Sequence, residues 1–397
     1  MNFFFSLITS EIVVLFNVFY YICGMAPRLL MYFPENDLAL AAGVASYTPP
    51  PAARALHRAG EALPLWMGRP GDRFVCSGLH NGWYTEICRR FNIIDVDIYD
   101  HSDASLEASP WGWSAASRRA LENAGYPLSQ MPDDRSLAHL RELSHRRTAA
   151  ALHAALAPLL PFPITEAATE ARDAAAVENY LDSHPTVIAK APWSCSGRGL
   201  VRSSSMARHT FVQQCAGIIR RQGSVMLEPE HDKMLDFALL YELDGLGAAS
   251  FRGISVFATT PRGGYTSNTV ASQQRLHAIV EDAAGAGRVD TLAVALSRVL
   301  PQVVPGYRGA LGVDMLVTSR GMIDATVELN LRHTMGFVAL EFSRYLAPDV
   351  IAALDVIPSP ASPAAGAVVR NGLLVSGEID LTPPCKDFAF RARVYKQ

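Results

Sequence analysis

Between residues 309 and 332 the chain reads GALGVDMLVTSRGMIDATVELNLR, and both arms of that stretch alternate. Leu311, Val313, Met315 and Val317 form one apolar row, and Ile323, Ala325, Val327 and Leu329 form the other. A period of two is the mark of a strand with two unlike faces. Ser319-Arg320-Gly321 suits a three-residue hairpin loop with glycine in the left-handed position. That register sets Thr318 opposite Met322 and Asp314 opposite Thr326, which makes Asp314 and Glu328 diagonal neighbours about 7–8 Å apart.

Elsewhere the apolar runs are shorter and organise the chain into zones. In residues 25–143, runs at 73–76 and 93–99 read as buried strands, and helical stretches at 84–91 and 114–124 alternate with them. Such alternation predicts a small parallel α/β layer. An Ala-rich helix over 147–159, ended by the proline-punctuated PLLPFPITE, opens a zone that runs over residues 144–346 with longer strands and more glycine. Residues 347–397 read as a C-terminal extension: a helix, a Pro/Ala-rich turn and one apolar strand at 367–376.

With 397 residues, 49% of them apolar and 18% charged, the chain has enough material for two or three cored units. The net charge of -3 excludes a general nucleic-acid binder, which carries a basic face. Six scattered cysteines without a C-x-x-C pair exclude a zinc knuckle or disulfide framework and fit reduced thiols in the cytoplasm. Residues 3–23, FFFSLITSEIVVLFNVFYYIC, match the length of a membrane crossing, although Glu11 is costly at the bilayer centre. No Lys or Arg precedes the segment and no small-residue cleavage site follows, which argues against a secretory signal. Residues 1–24 are therefore either an anchor, with Arg28 holding the rest on the cytoplasmic side, or the upstream part of a chain that starts at Met25.

Three segments carry chemistry. Residues 186–202, TVIAKAPWSCSGRGLVR, end a strand on Lys190 and continue into the small-residue loop 194–199, whose backbone N–H groups can approach phosphate oxygens closely. In residues 224–237, SVMLEPEHDKMLDF, an apolar strand stops at Glu228-Pro229, where free backbone groups beside a carboxylate can hold a base edge and ribose hydroxyls. In the hairpin, Asp314, Glu328 and Asn330 share a face and offer hard oxygen to Mg²⁺, while Arg332 points the same way. Each segment alone is an ordinary hairpin or acidic turn more often than a site. Their order in the chain is what shifts the balance.

That order resembles the ATP-grasp superfamily, in which a lid lysine and a glycine-rich loop meet the phosphates, a glutamate ends the adenine hinge strand, and G-x-D…E-x-N-x-R binds magnesium. The resemblance covers residues 144–346 and implies an α/β (α+β) ATP-grasp fold, with a lid at about 165–230 and a small α/β domain over 25–143 ahead of it. It implies nucleotide contacts at Lys190, Ser194, Ser196, Gly197, Arg198, Gly199, Glu228 and Asp236, and metal ligands Asp314, Glu328 and Asn330. Arg146 or Arg147 stands where the family has a lysine on the linking helix, and Arg146 is assigned to the phosphates. Catalytic roles fall to Lys190, Arg332 and Arg252, the last on the apolar strand SFRGISVF. The implied cofactors are ATP and Mg²⁺, with Mn²⁺ as a substitute. The implied partners are a small carboxylate and an amine-type acceptor in a cytoplasmic, carbon–nitrogen bond-forming ligase, with a homodimer as an option. Tyr265, Asn268, His80, Asn81, Trp111 and Trp113 are weaker candidates for the substrate side, and His333 reads as packing. A nucleotide-binding module without turnover, tethered by residues 3–23, and a phosphotransferase are the rival readings.

Overall fold

Of Arg28-Leu29-Leu30-Met31 the last three are buried, and this run forms the first strand of the computed structural model, which describes residues 26–78, 81–100, 105–194, 199–261 and 263–395. The segment 1–24 and the start at Met25 lie outside the described residues. Strands β1 (Arg28–Met31), β2 (Arg73–Phe74), β3 (Asp97–Ile98) and β4 (Glu107–Pro110) form a parallel sheet in the order β3-β2-β1-β4. Parallel neighbours need crossovers, and the helices Asn36–Ala42, Pro51–Gly60 and Asn81–Phe91 lie in those connections. Ser114 caps the helix Ala115–Asn123 by a reciprocal pair of hydrogen bonds with Ser117.

A second sheet contains β5 (Thr169–Ala171), β6 (Val187–Lys190), β7 (Leu200–Arg202) and β8 (Val225–Pro229), antiparallel in the order β5-β8-β6-β7. Val187, Ala189, Val225 and Leu227 bury one face against Val177, Phe211 and Ile218 of the helices Ala174–Ser183 and Arg208–Gln222, in a core closed on itself. The alternate residues, Ile188, Lys190 and Glu228, are therefore left on the opposite face.

The largest sheet is antiparallel and eight-stranded. Its strands are β9 (Lys233–Asp244), β10 (Ala249–Thr259), β11 (Tyr265–Val270), β12 (Arg308–Thr318), β13 (Ile323–Asn330), β14 (Ala352–Pro358) and, after the two-stranded β15 (Val368–Arg370) and β16 (Leu373–Ser376), β17 (Glu378–Asp380) and β18 (Phe388–Val394). The order is β13-β12-β9-β10-β11-β14-β18-β17. One face packs Leu239, Tyr241 and Val256 on the helices Gln273–Ala284 and Arg288–Val303. The other face packs Ala238, Leu240, Leu354 and Phe390 on the helix Met335–Phe342 and on the N-terminal layer. Trp66, fully buried, ties that layer down: its ring lies 5.1 Å from that of Phe342, and its Nε1 donates to the Leu381 carbonyl at 2.6 Å.

Two expectations change here. Residues 347–397 do not open on a helix; they supply β14, β17 and β18 to the large sheet, and the run 367–376 breaks into β15 and β16 at Asn371-Gly372. A left-handed Asn371 and Gly372 turn the chain where an unbroken strand would overrun its neighbour. Among the described residues no helix is long and apolar enough to cross a membrane.

Candidate active site

The β12–β13 hairpin begins as its sequence predicts, with the Thr318 N–H donating to the Met322 carbonyl at 2.8 Å, and then slips. Leu316 pairs with Asp324, but the next pair is Asp314 with Glu328, so residues 325–327 stand opposite Met315 alone. The shift is an even number of residues, so the polar side chains keep their face while Glu328 moves from the diagonal to the position directly across from Asp314. Within the bulged stretch the Val327 carbonyl accepts a hydrogen bond from Lys190 Nζ at 3.2 Å.

Lys190 and Glu228 are brought together by β6 and β8. Ile188 is the cross-strand partner of Glu228, which puts Lys190 one diagonal away on the same face, with Nζ 2.5 Å from Glu228 Oε1. Burial raises the Glu228 carboxyl above its ordinary range, against the pull of the Lys190 ammonium, and the nearby charge of Asp324 adds to the rise. Arg146, not Arg147, enters the site: its guanidinium donates to Glu328 Oε1 at 2.8 Å, to Ser194 Oγ at 3.2 Å and to the Ala191 carbonyl at 3.1 Å. Arg147 pairs with Glu142 instead. Asn330 Nδ2 donates to Asp314 Oδ2 at 2.9 Å. Burial, followed by the facing charge of Glu328, pushes Asp314 up to about 7. Arg332 grips Asp37 of the N-terminal layer at 2.7 Å.

These groups line one cavity of about 910 Å³. The lid contributes Lys190, Arg202 and Glu228, and the hairpin contributes Asp314, Asp324, Glu328 and Asn330; Arg146, Asp236, Arg332, Trp111, Tyr265 and Asn268 also line it. Asp236 is held by Thr259 Oγ1 at 3.0 Å and by Lys233. Among the described residues Ser194 meets the site through Arg146, and Gly199 accepts from the Ala191 N–H at 3.0 Å. At φ +75°, with its would-be Cβ 2.9 Å from that of Ala191, Gly199 admits no side chain. Ser196, Gly197, Arg198 and His80 lie outside the described residues, and Asn81 begins a helix. Trp113 packs in the core, as does the buried His333.

Arg252 stands apart from the other candidates. It does not line the cavity but sits 3.7 Å from Glu341. A bulge between Phe251 and Gly253 interrupts the alternation of β10, and the helix Met335–Phe342 lies across the strand. Its first turn, at Met335 and Gly336, lines the cavity, whereas Glu341 is five residues, about 7–8 Å, further along. Conversely, Asp324 and the segment His231-Asp232-Lys233 line the cavity without having been singled out. Asp324 was visible as a member of the alternating polar face of β13; nothing local marks the other three.

The donor set suits a magnesium ion: two facing carboxylates, one with a pKa raised by burial and then by its neighbour's charge, are stabilised by a hard cation, and the Asn330 carbonyl oxygen adds a third ligand. Among the described residues no group of three or more His, Cys, Asp or Glu is arranged for a metal, so remaining ligands would come from substrate phosphates and water.

No protein-family model and no curated protein matches the sequence. By structure, the chain is similar to biotin carboxylase from Campylobacter jejuni in complex with beta-gamma-ATP, at 11% identity and TM-score 0.50, over 94% of this chain and 88% of that one. It is also similar to the biotin carboxylase domain of Hydrogenobacter thermophilus 2-oxoglutarate carboxylase in complex with MgADP, ADP and bicarbonate (11% identity, TM-score 0.48, 94% and 87% covered). A third likeness is to N5-carboxyaminoimidazole ribonucleotide synthetase from Thermus thermophilus (12% identity, TM-score 0.49, 86% and 92% covered). An antiparallel lid with its own core, standing over an antiparallel sheet and joined to a parallel N-terminal layer, is the ATP-grasp fold, and the chain has that fold.

Proposed function

We propose that the chain is a Mg·ATP-dependent ligase that activates a carboxylate as an acyl phosphate for attack by an amine. The reading is carried by one observation: Asp314 and Glu328 face each other across β12 and β13, while the cations of Lys190 and Arg146 reach the same hairpin from the lid side. Lys190 and Arg146 bind the phosphates, Glu228 and the segment after it hold the nucleoside, and Arg332, fixed by Asp37, orients the substrate carboxylate. Asp314, Glu328 and Asn330 would hold Mg²⁺, which would supply charge neutralisation at the phosphates. The carboxylate oxygen attacks the γ-phosphorus and ADP leaves; the amine then attacks the acyl carbon, loses a proton, and phosphate leaves. The protein acts by positioning and electrostatics.

The test is ADP release from Mg·ATP in the presence of carboxylic-acid pools, compared between wild type and Glu328→Ala. A loss of about 100-fold or more is expected, with an unchanged circular dichroism spectrum. A variant that turns over at the wild-type rate overturns the assignment of the hairpin.

A further inference from the structure

The cavity continues well past the carboxylates. At about 910 Å³ it is at the upper end of single-ligand pockets and leaves room for a second molecule beside a nucleotide. Strands β12 and β18 are five places apart in the large sheet, about 24 Å at normal strand spacing, and β10 is about 10 Å from β12. Over β10 to β18 the walls change character. Leu38 and Leu56 come from the first two helices, Trp111 follows β4, Phe257 stands on β10, and Phe388 and Phe390 stand on β18. Tyr32 bridges these walls, its ring 4.9 Å from Trp111 and 6.0 Å from Phe390.

Charge is distributed just as unevenly. Among the described lining residues the lysines and arginines are Arg146, Lys190, Arg202, Lys233 and Arg332, and the first four belong to the lid side or the start of β9. On the far side Arg332, which also meets Asp37 at 2.7 Å, is the single lysine or arginine among the described lining residues, and Glu35 meets His57 Nδ1 at 2.9 Å. A phosphate or second carboxylate buried there would lose its hydration and gain no cation of its own, which is unfavourable. An aromatic or branched aliphatic group would instead gain by leaving water.

We infer that the acid activated at this site is a monocarboxylate with a bulky apolar body, its carboxylate at Arg332 and its body lying over β10 to β18 against Leu56, Trp111 and Phe388. This inference rests on the ligase reading above and narrows its substrate. Arg332 shares the cavity with Asp314 and Glu328 and is near enough to Asp314 for its charge to act on that carboxyl, so the orientation that seats the apolar body presents the carboxylate to the γ-phosphate.

Hydroxylamine makes the test independent of the natural amine, because it captures an acyl phosphate as a hydroxamate with release of phosphate. The full chain with Mg·ATP and hydroxylamine is offered 3-phenylpropionate, L-phenylalanine, L-leucine, bicarbonate and 3-phosphoglycerate, and ADP and hydroxamate are measured. Leu56→Arg and Leu56→Ala are run alongside, with the thermal shift caused by Mg·ATP recorded for each protein. Hydroxamate from the apolar acids, lost at least tenfold in Leu56→Arg while the Mg·ATP shift persists, is the expected result. In Leu56→Ala, KM for the acid should rise about three- to tenfold with KM for ATP unchanged, a readout that survives if the arginine variant does not fold. If Mg·ATP stabilises the protein but only bicarbonate or 3-phosphoglycerate reacts, or no apolar acid does, the inference is overturned and the nucleotide site stands. Unchanged acid KM in both variants overturns it as well. Absence of any Mg·ATP shift overturns the ligase reading itself.

Discussion

Lys190 ends β6 and Glu228 stands near the end of β8, and antiparallel pairing sets them 2.5 Å apart with 7% and 13% of their side chains exposed. A buried pair of this kind is held by desolvation as much as by attraction: removing one partner leaves a charge without compensation, at about 3 kcal/mol or more. Lys190→Met should therefore cost stability as well as nucleotide affinity. Adding Glu228→Gln to it should restore most of the stability, read as the urea midpoint, and none of the affinity, read as the Mg·ATP titration. Recovery of both would make the lysine a structural counter-ion only. The candidate residues themselves were legible in sequence, since Lys190, Glu228, Asp314, Glu328 and Asn330 all sit at strand ends or on one alternating face. Their partners were not: nothing local says that Arg146 rather than Arg147 would reach Glu328, because both begin the same helix turn and only its packing direction decides.

At the scale of elements, the helix Met335–Phe342 governs the shape of the site. Gly336 lets its first turn lie on β10: a Cβ there would sit 2.7 Å from Ser255 Oγ and 2.9 Å from Ser255 Cβ. Gly336→Ala should push the helix off the strand and cost about 1–3 kcal/mol, and Ser255→Gly in the same chain should recover part of the loss, both read from thermal or urea melts. Equal stability of Gly336→Ala and wild type would show that the contact is slack. The same helix explains why Arg252, on a strand that reads as a substrate wall, faces Glu341 instead. The slip within β13 belongs to this scale too. Alternation fixes which residues share a face, but the register depends on how many residues bulge, and that number is set by the fit of β12 against β9 and of Lys190 against Val327.

Across the whole molecule, two buried histidines sit where units join. His145 packs against Trp193 and Ser224 at the foot of the lid, and His333 lies against the Pro110 carbonyl of the N-terminal layer. Burial first, then the charge of Arg147 beside His145 and of Arg28 near His333, lowers each to about 4 from the ordinary 6.5. The folded chain thus stays unprotonated at these positions while the unfolded chain takes up protons below 6.5. Their stabilisation is fully present above that pH and is lost as the pH falls from 6.5 toward 4. The urea midpoint should drop over that window, and His145→Gln with His333→Gln should flatten the drop; an equally steep fall in the double variant would place its cause elsewhere. The elements expected over residues 347–397 differ from those observed for a related reason. Strands β14 and β18 look like an appendage locally, and only the unfilled edge beside β11 gives them a place.

The sequence alone determined the alternating hairpin, the strand that ends on a lysine, the acid-ended strand and the small parallel layer, because period, turn chemistry and residue type are properties of neighbouring positions. The tertiary structure decided that Asp314 faces Glu328, that Arg146 and Lys190 reach one hairpin, and that Arg252 does not reach the cavity. It also decided that helices, a loop and a C-terminal strand far apart in the chain close the cavity beside the carboxylates. Each of those outcomes depends on register, packing direction and burial, which are settled by contacts between segments and leave no local trace.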